Sequence, residues 1–251
     1  MLNSILILGS APDAVQAQDI DVSGFSAIVA INNAWQIRPD WTHLIYPDDF
    51  AEDRRSPAKP DKIHITSDTF VPANNAYGGI IYAGGTMAFT ATYWALHFFK
   101  PDLIAILGCD MVYNDKKTHF YGTGEPDPLR KDPTLQSLEA KSARLMLLAA
   151  QQGCLCMNLS TQDESRLLWP RLNPSRLPDF LAEDHARYMA GHHAKSLKRT
   201  IEYALSAEEE LAAFCEDGAY WNEPELLNEK KLSAIDDLWL QTWETSGLSQ
   251  V

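Results

Sequence analysis

The sequence has few cysteines, and their spacing suits neither a disulfide framework nor a zinc site. Only 4 occur in 251 residues, and none forms the Cys-x-x-Cys pair of structural zinc sites. Cys154 and Cys156 alternate along a predicted strand, which makes them neighbours in the core or at the surface. The small disulfide-stabilised domains of secreted proteins are therefore excluded.

Long apolar runs and an excess of positive charge are also missing. No stretch approaches the roughly 20 apolar residues of a membrane-spanning helix, and no basic region precedes the apolar run at residues 2–8, as it would in a signal peptide. The formal net charge of −13 argues against a surface for nucleic acid or anionic lipid. We therefore expect a cytoplasmic protein with no transmembrane segment and no nucleic-acid partner.

Two familiar nucleotide-binding loops are absent as well. The first strand is followed by a turn with a single glycine, Gly9, so the dinucleotide fingerprint G-x-G-x-x-G is incomplete. No lysine and hydroxyl stand where a P-loop needs them. Neither a nicotinamide-dependent enzyme nor a Walker-type ATPase is favoured.

What the chain does contain, from residue 1 to about 175, is an alternation of short β-rich runs with helical ones. This pattern is typical of a mostly parallel sheet flanked by helices. The predicted strands are Ile5–Leu8, Ala27–Ile31, His43–Tyr46, Lys62–Thr66, Leu103–Leu107 and Leu155–Asn158. The predicted fold class is α/β, with a Rossmann-like nucleotide-binding domain over residues 1–175.

Helix boundaries are marked by capping residues. One helix is predicted from Thr86 to Phe99, and a longer one has Asp132 as N-cap, Pro133 in its first turn and Gly153 just after its end. Beyond residue 175 only helices are predicted: Phe180–Ala204, Ala207–Cys215 and about Glu225–Trp243.

The C-terminal region, residues 176–251, is acidic. From residue 177 onward it carries 15 Asp and Glu against 6 Lys and Arg, which a solvated helical face explains most simply. A lid over the site and a surface for homo-oligomers are the roles we expect for it.

The turn after the first strand is a candidate phosphate site. Its sequence is Gly9-Ser10-Ala11-Pro12-Asp13, in which the N–H groups of Gly9 and Ser10 can approach a phosphate and Asp13 can cap the next helix. An ordinary strand-to-helix turn explains it equally well. The second predicted strand ends in Asn32-Asn33 at the same edge of the sheet, and two neighbouring polar strand ends indicate a ligand site.

A glycine-rich segment, Tyr77–Thr86, provides a second candidate. It places four glycines and the hydroxyl of Thr86 just ahead of a helix, where Gly85 and Thr86 can meet an anion. A flexible connection is the alternative.

Catalytic candidates follow the fifth predicted strand. Asp110 stands at the carboxyl edge of the sheet, where it can bind a ribose or substrate hydroxyl, hold a metal, or cap the loop. The loop Met111–Lys131 then carries Tyr113, His119 and Tyr121, and a loop of this length is usually functional or mobile. His119 is the best general acid or base in the chain, although a surface histidine without a role is the alternative.

Asp48 and Asp49, which follow the third predicted strand, are a candidate metal site. Such carboxylate pairs hold a divalent ion in many nucleotide-sugar enzymes, and a solvated loop pair is the alternative.

Taken in order, these motifs resemble the bacterial sialyltransferases of glycosyltransferase family 42 and the related MptE-like proteins, which include flagellin-glycosylation factors and a hydroxymethylpterin diphosphokinase. The first-strand turn resembles the family's G-N-G-P-S, and Asn32 falls on the asparagine that ends its second strand. Gly85-Thr86 resembles its T-S-G or G-G-S segment, and residues 107–110 resemble L-x-G-x-D.

The resemblance continues through residues 119–122, the helix from Pro133 and residues 156–160, and covers roughly Ile5 to Asn173. It implies metal-independent transfer of an acidic sugar from a CMP-linked donor to a glycan or small acceptor. The implied nucleotide-binding residues are Gly9, Ser10, Pro12, Asn32, Asn33, Gly85, Thr86, Asn158 and Ser160. The implied catalytic residues are His119, Tyr113, Tyr121 and Asp110.

In that scheme His119 deprotonates the acceptor hydroxyl, and Tyr113 or Tyr121 hydrogen-bonds the leaving phosphate. Two positions depart from the family pattern: Ser10 replaces an asparagine, and the family's catalytic histidine falls near Thr123 instead of His119.

Sugar transfer is thus the leading hypothesis, with the nucleotide-sugar as donor and no other cofactor. One alternative is an MptE-like diphosphate transfer from ATP, which needs Mg²⁺ and offers Asp48, Asp49 or Asp110 as ligands. The other is a non-catalytic nucleotide-binding or interaction module.

Overall fold

The computed structural model describes residues 2–113, 118–122, 131–182 and 198–248. In these residues, six parallel strands form one sheet in the order β4-β3-β2-β1-β5-β6. The strands are β1 Ser4–Leu8, β2 Ala27–Ile31, β3 His43–Ile45, β4 Ile63–Ile65, β5 Leu103–Leu107 and β6 Leu155–Asn158. The predicted α/β fold class and parallel sheet are confirmed.

The central strands are apolar, with Ser4 at the start of β1 as the exception, because both faces of the sheet are covered. Every residue of β1, β2 and β5 is buried, as expected for parallel strands between two helical layers. The helices of the described residues are α1 Ser67–Asn75, α2 Ile80–Ala83, α3 Met87–Phe99, α4 Leu138–Gln151, α5 Leu177–Ala182, α6 Lys198–Leu211 and α7 Glu229–Ser246. None of them combines the length and the apolar character needed to cross a membrane.

Two helices were not predicted, and one begins later than its capping signal indicated. Helix α1 contains Pro72 and α2 is a single turn between two glycine pairs, so neither sequence has the pattern of a helix. Asp132 caps a separate 3-10 turn, with the Thr134 N–H donating to its Oδ1 at 2.8 Å. Helix α4 begins only after Ser137, whose Oγ accepts from the Ala140 N–H at 3.1 Å. Two capping residues five positions apart, Asp132 and Ser137, therefore start two separate segments.

The C-terminal helices differ from the prediction in their breaks. The predicted break at Ser206 is wrong, since α6 runs through it and the Ser206 hydroxyl donates to the Glu202 carbonyl at 2.9 Å. That bond keeps the serine inside the helix. The first predicted C-terminal helix corresponds to α5 and the start of α6, and residues 183–197 between them lie outside the described residues.

The turns that follow β1 and β5 touch backbone to backbone. The Gly9 N–H donates to the Leu107 carbonyl at 2.8 Å, and the Ala11 N–H donates to the Gly108 carbonyl at 2.9 Å. A Cβ on Gly9 would lie 2.3 Å from the Gly108 carbonyl oxygen. A Cβ on Gly108 would lie 2.5 Å from the Cβ of Ala14. Only glycine fits at both positions, and the two turns are held in fixed relation at the point where the strand order reverses.

A buried ion pair joins α4 to the C-terminal helices. Arg144 Nε and Nη2 each donate to the Glu208 carboxylate at 2.7 Å, and Trp239 Nε1 donates to the same carboxylate at 2.7 Å. Arg144 Nη1 donates to the Tyr93 hydroxyl on α3 at 2.7 Å, and burial raises the pKa of Tyr93 to about 12. The carboxylate of Glu208 therefore connects α4, α6 and α7, and Arg144 extends the network to α3.

A second buried pair, Lys141 with Asp236 at 2.7 Å, joins α4 to α7. Trp239 and Trp243 of α7 belong to the same hydrophobic core as α3 and the sheet. The C-terminal helices thus share one core with the residues before 175, whereas the predicted division into two domains stays a prediction.

We expect the substitution Gly108→Ala to destabilise the protein more than Gly153→Ala. Both glycines have positive φ, 80° and 78°, so each alanine costs about 1–2 kcal/mol in backbone strain. Only Gly108→Ala also collides with a neighbour, because nothing lies within 4 Å of a Cβ at Gly153, and such overpacking adds about 1–3 kcal/mol. Urea unfolding of both variants measures the difference, and equal losses would contradict the proposed contact.

We expect Glu208→Gln to lower the free energy of unfolding by about 3 kcal/mol, because the guanidinium of Arg144 is left buried without a counter-charge. Glu209→Gln is the matched control, since its side chain is exposed one position further along α6. Thermal and urea unfolding of the two variants measure the effect. Similar stabilities would show that the pair contributes little.

Candidate functional site

The polar residues of the candidate site lie where the central strands end. Open parallel sheets bind ligands at this carboxyl edge, at the point where the strand order reverses. Here that point lies between β1 and β5, which flank each other in the sheet. The residues brought to it from β1, β2, β5 and β6 are Asp13, Asn32, Asp110, Asn158 and Ser160.

A continuous chain of hydrogen bonds connects Asp13 to Asp110. The Ser160 hydroxyl donates to Asp13 Oδ2 at 2.8 Å, and the Ser160 N–H donates to Asn158 Oδ1 at 2.9 Å. Asn158 Nδ2 then donates to Asp110 Oδ1 at 3.1 Å and to the Ser165 hydroxyl at 3.1 Å. Asn158 and Ser160, predicted to contact a nucleotide, thus hold the two carboxylates in place.

Three buried oxygens in this region have no hydrogen-bond partner among the described residues. They are Asp13 Oδ1, Asn32 Oδ1 and Asp110 Oδ2. Asp13 is only 5% exposed and Asp110 only 2%. Buried polar atoms are usually paired, and these three are acceptors. The site is therefore suited to a ligand that donates hydrogen bonds or carries positive charge.

The two carboxylates also influence each other electrostatically. Burial raises the pKa of Asp13, and the charge of Asp110 raises it further, while the hydrogen bond from Ser160 opposes the shift. Burial likewise raises the pKa of the Cys109 thiol, which stands between the two turns. Cys109 is thus a protonated core residue at neutral pH and not a nucleophile.

Asn32 ends β2 in a conformation that non-glycine residues seldom adopt. Its φ is 51°, in the left-handed region, which asparagine tolerates better than most residues. Asn33 beside it is buried. Strained residues of this kind concentrate at functional sites, which agrees with the predicted ligand site at this strand end.

The first-strand turn differs in detail from its predicted role. The Gly9 N–H is already bonded to Leu107, so Gly9 contributes close packing and not a free donor. Pro12 has no N–H, and it begins a 3-10 helix, Pro12–Asp19, after Ala11 with no side-chain cap. The predicted capping role of Asp13 is wrong, because its carboxylate is bonded to Ser160.

The glycine-rich segment makes protein contacts at the predicted anion site. The Gly85 N–H donates to the Thr134 hydroxyl at 3.1 Å. Thr86 is the N-cap of α3, with its Oγ1 accepting from the Phe89 N–H at 3.4 Å and lying 3.9 Å from Met111 Sδ. Thr86 is buried. Nucleotide binding by Gly85 and Thr86 stays a prediction.

The predicted catalytic histidine lies on a short loop that contacts the first-strand turn. The Phe120 N–H donates to the Ser10 carbonyl at 3.0 Å, and His119 and Gly122 exchange backbone hydrogen bonds of 3.0 and 3.1 Å. The His119 ring is stacked on Tyr121 at a centroid distance of 5.0 Å and lies 6.1 Å from that of Tyr113. The three predicted catalytic side chains therefore form one cluster.

The environment of His119 favours a neutral ring. Burial lowers its pKa, and its Nδ1 lies 2.9 Å from the Thr118 hydroxyl. In the tautomer in which Nδ1 donates to the Thr118 hydroxyl, Nε2 is the nitrogen available to take a proton. Thr123, where the resembling family has its histidine, lies outside the described residues.

Asp48 and Asp49 lie apart from this hydrogen-bond network. The carboxylate of Asp48 accepts from the hydroxyl of Ser67 and from its N–H, the latter at 3.4 Å, at the start of α1. Asp49 is exposed. In the described part of the chain no hydrogen bond joins either carboxylate to Asp110, so the pair is not part of the network at the ends of the central strands.

A polar cavity of about 530 Å³ begins at Met111, the residue after Asp110. The Arg166 N–H donates to the Asp110 carbonyl at 2.9 Å, and its guanidinium is paired with Glu139. The cavity is lined by Met111, Val112, Tyr113, Asp163, Glu164, Ser165, Arg166 and Arg171. Sequence reasoning missed Ser165 and Arg166, whose only signal was their position in the polar loop after β6.

Comparisons with protein-family models, with curated proteins and with solved structures found no match for this chain. A fold of this kind supports many unrelated activities. The function is therefore argued from the residues of the site.

Proposed function

We propose that this chain transfers an acidic sugar from a CMP-linked donor to a hydroxyl group of a glycan or small acceptor. The observation that carries the proposal is the hydrogen bond from the Phe120 N–H to the Ser10 carbonyl. It holds His119 and its two tyrosines beside the first-strand turn, the element that resembles the nucleotide site of the sialyltransferases.

In this proposal His119 is the general base. The ring is neutral at pH 7 because burial lowers its pKa, so Nε2 can accept the proton of the attacking hydroxyl. Tyr121 and Tyr113 flank the ring, and a tyrosine hydroxyl can donate to the leaving phosphate. A well-placed general base contributes about 10²–10⁴-fold to the rate.

The buried oxygens that lack a hydrogen-bond partner among the described residues suit the nucleoside of the donor. Ribose hydroxyls and the amino group of cytosine are hydrogen-bond donors, and Asp110 Oδ2 and Asn32 Oδ1 are buried acceptors that lack a partner among the described residues. Asp110 would bind the ribose, and Asn32 the base or sugar.

The cavity beside Asp110 suits the sugar. Its volume of about 530 Å³ lies within the range of about 300–1,000 Å³ that small-molecule sites occupy. Tyr113 and Arg171 both line it. Arg171 hydrogen-bonds the carbonyls of Gln162 and Asp163, and its positive charge can attract the carboxylate of an acidic sugar.

Diphosphate transfer from ATP is the second candidate. This reaction uses a metal ion to bring phosphoryl groups together and to neutralise their charge. The observation that favours it is the pair of buried carboxylates, Asp13 and Asp110, each with one oxygen that lacks a partner among the described residues.

A ligand titration tests the proposed function. We expect CMP and CMP-sialic acid to raise the melting temperature without added metal, because a ligand that binds only the folded state stabilises it. UDP and ATP serve as controls, each with and without Mg²⁺. Stabilisation by ATP and Mg²⁺ alone would favour diphosphate transfer, and no stabilisation by any nucleotide would leave only an interaction module.

The substitution His119→Ala tests the general base. We expect turnover to fall by about 10²–10⁴-fold with the affinity for CMP unchanged, because the ring acts on the acceptor. His97→Ala is the control, since His97 is exposed on α3. Because burial lowers the pKa of His119, the acid limb of the rate profile should lie below pH 6.5, the ordinary histidine value. An acid limb above that value, or unchanged turnover, removes His119 as the base.

A further inference from the structure

The segment between α6 and α7 brings three metal-ligating side chains together, outside the site described above. Cys215, Asp217 and Glu223 each place a ligand atom within 4.8 Å of those of the other two. Cys215 Sγ lies 3.1 Å from Asp217 Oδ1 and 3.3 Å from Glu223 Oε1. The spacing of the cysteines does not predict this cluster, because two of its three members are carboxylates.

Two successive turns of the backbone create the cluster. The Gly218 N–H donates to the Cys215 carbonyl at 3.2 Å, and Gly218 has a φ of 75°. Asp217 Oδ1 also accepts a backbone N–H at 2.8 Å, which orients its carboxylate. The 3-10 helix Tyr220–Asn222 then returns the chain, so that Glu223 faces the sulfur. The three ligand positions are therefore set by the fold of this segment.

The cluster has one hydrogen atom for two carboxylate oxygens. The Cys215 thiol has a single S–H, which points at only one of the two carboxylates at a time. The other oxygen then faces the lone pairs of the sulfur at 3.1 or 3.3 Å. No lysine, arginine or histidine forms an ion pair with Asp217 or Glu223 among the described residues. A cation between the three atoms would replace this unfavourable contact with attraction.

The surroundings of the cluster favour the entry of a cation. Residues 201–229 contain nine Asp and Glu and no Lys, Arg or His, and an excess of one charge raises the local concentration of counter-ions. Asp217 is exposed and Glu223 is partly exposed, whereas Cys215 is buried. An ion can therefore reach the carboxylates from solvent and meet the sulfur beneath them.

The dimensions and the chemistry of the cluster favour zinc. Zn²⁺ binds thiolate sulfur at about 2.3 Å and carboxylate oxygen at about 2.0–2.2 Å, so tetrahedral coordination separates sulfur from oxygen by roughly 3.5 Å. The two sulfur–oxygen distances here, 3.1 and 3.3 Å, are close to that value. Mg²⁺ and Ca²⁺ prefer oxygen ligands alone, and Cu(I) prefers soft sulfur ligands. A mixed set of one sulfur and two carboxylates therefore selects Zn²⁺.

We propose that Cys215, Asp217 and Glu223 bind one Zn²⁺ ion, with water as the fourth ligand. The sulfur releases its proton to solvent when it bonds the metal, and no group changes its oxidation state. Burial, together with the two carboxylates, raises the pKa of the thiol to about 12, whereas a coordinated metal ion deprotonates a thiol outright. The site does not depend on the proposed sugar transfer, because it shares no residue with that site.

Metal titration of the full chain tests the site, with Co²⁺ and Zn²⁺ as the probes. We expect about one equivalent of Co²⁺ to produce a thiolate-to-metal charge-transfer band in the near ultraviolet, which Zn²⁺ abolishes by displacement. Zn²⁺ should also raise the melting temperature, whereas Mg²⁺ should not. Cys215→Ser should lose the band, and Asp217→Asn and Glu223→Gln should each weaken Zn²⁺ binding at least tenfold. Glu216→Gln is the matched control, since Glu216 is exposed in the same turn.

A second control concerns His192 and His193, which lie outside the described residues and whose imidazoles can also bind Zn²⁺. Replacing both with alanine should leave the charge-transfer band unchanged, and loss of the band there would overturn the proposal. A wild-type protein without the band, or a band that persists in Cys215→Ser, overturns it as well. If Cys215→Ser does not fold, the carboxylate variants decide, and wild-type Zn²⁺ affinity in both of them excludes the site. The binding of CMP changes none of these outcomes.

Discussion

The contact between Gly9 and Gly108 is the constraint on which the candidate site depends. It joins the first strand to the fifth, backbone against backbone, at the only point in the described sheet where the strand order reverses. Side chains at either position would separate the turns by the width of a methyl group or more. Asp13, Asp110 and the carbonyl of Ser10 lie in these turns or just after them. Their relative positions therefore depend on the close approach that two glycines without a Cβ atom allow.

The site that results is unusual in its balance of donors and acceptors. The N–H groups of Gly9 and Gly85 are already bonded to protein, whereas acceptor oxygens of Asp13, Asn32 and Asp110 are buried without a partner among the described residues. A bare phosphate would meet more negative charge than N–H donors here. Ribose hydroxyls, an amino group or a cation are better matched, and a nucleotide with a cation contains all of these chemical groups.

The C-terminal helices are joined to the rest of the core by buried hydrogen bonds. Arg144 on α4 is bonded to Glu208 on α6 and, through one further N–H, to the hydroxyl of Tyr93 on α3. The Tyr82 hydroxyl of α2 donates to the Glu208 carbonyl at 2.8 Å, so the glycine-rich segment is fixed to α6. Breaking so buried a pair would leave an uncompensated charge, which makes these helices part of the folded core.

The sequence by itself determined the centre of the sheet: continuous apolar runs predicted β1, β2 and β5, because strands covered on both faces contain few polar residues. It also predicted that Asp110 lies at the carboxyl edge of the sheet, since polar residues after such strands gather at one edge, whereas Asn158 and Ser160 were expected there only from the family resemblance. Only the tertiary structure decided that Asp13 meets Ser160, 147 positions away along the chain, and does not cap its own helix. Local patterns contain no information on such pairs. The order of the strands in the sheet brings such residues together. The same order decides that the Gly9 N–H bonds to the Leu107 carbonyl of β5 and which buried oxygens have no partner among the described residues.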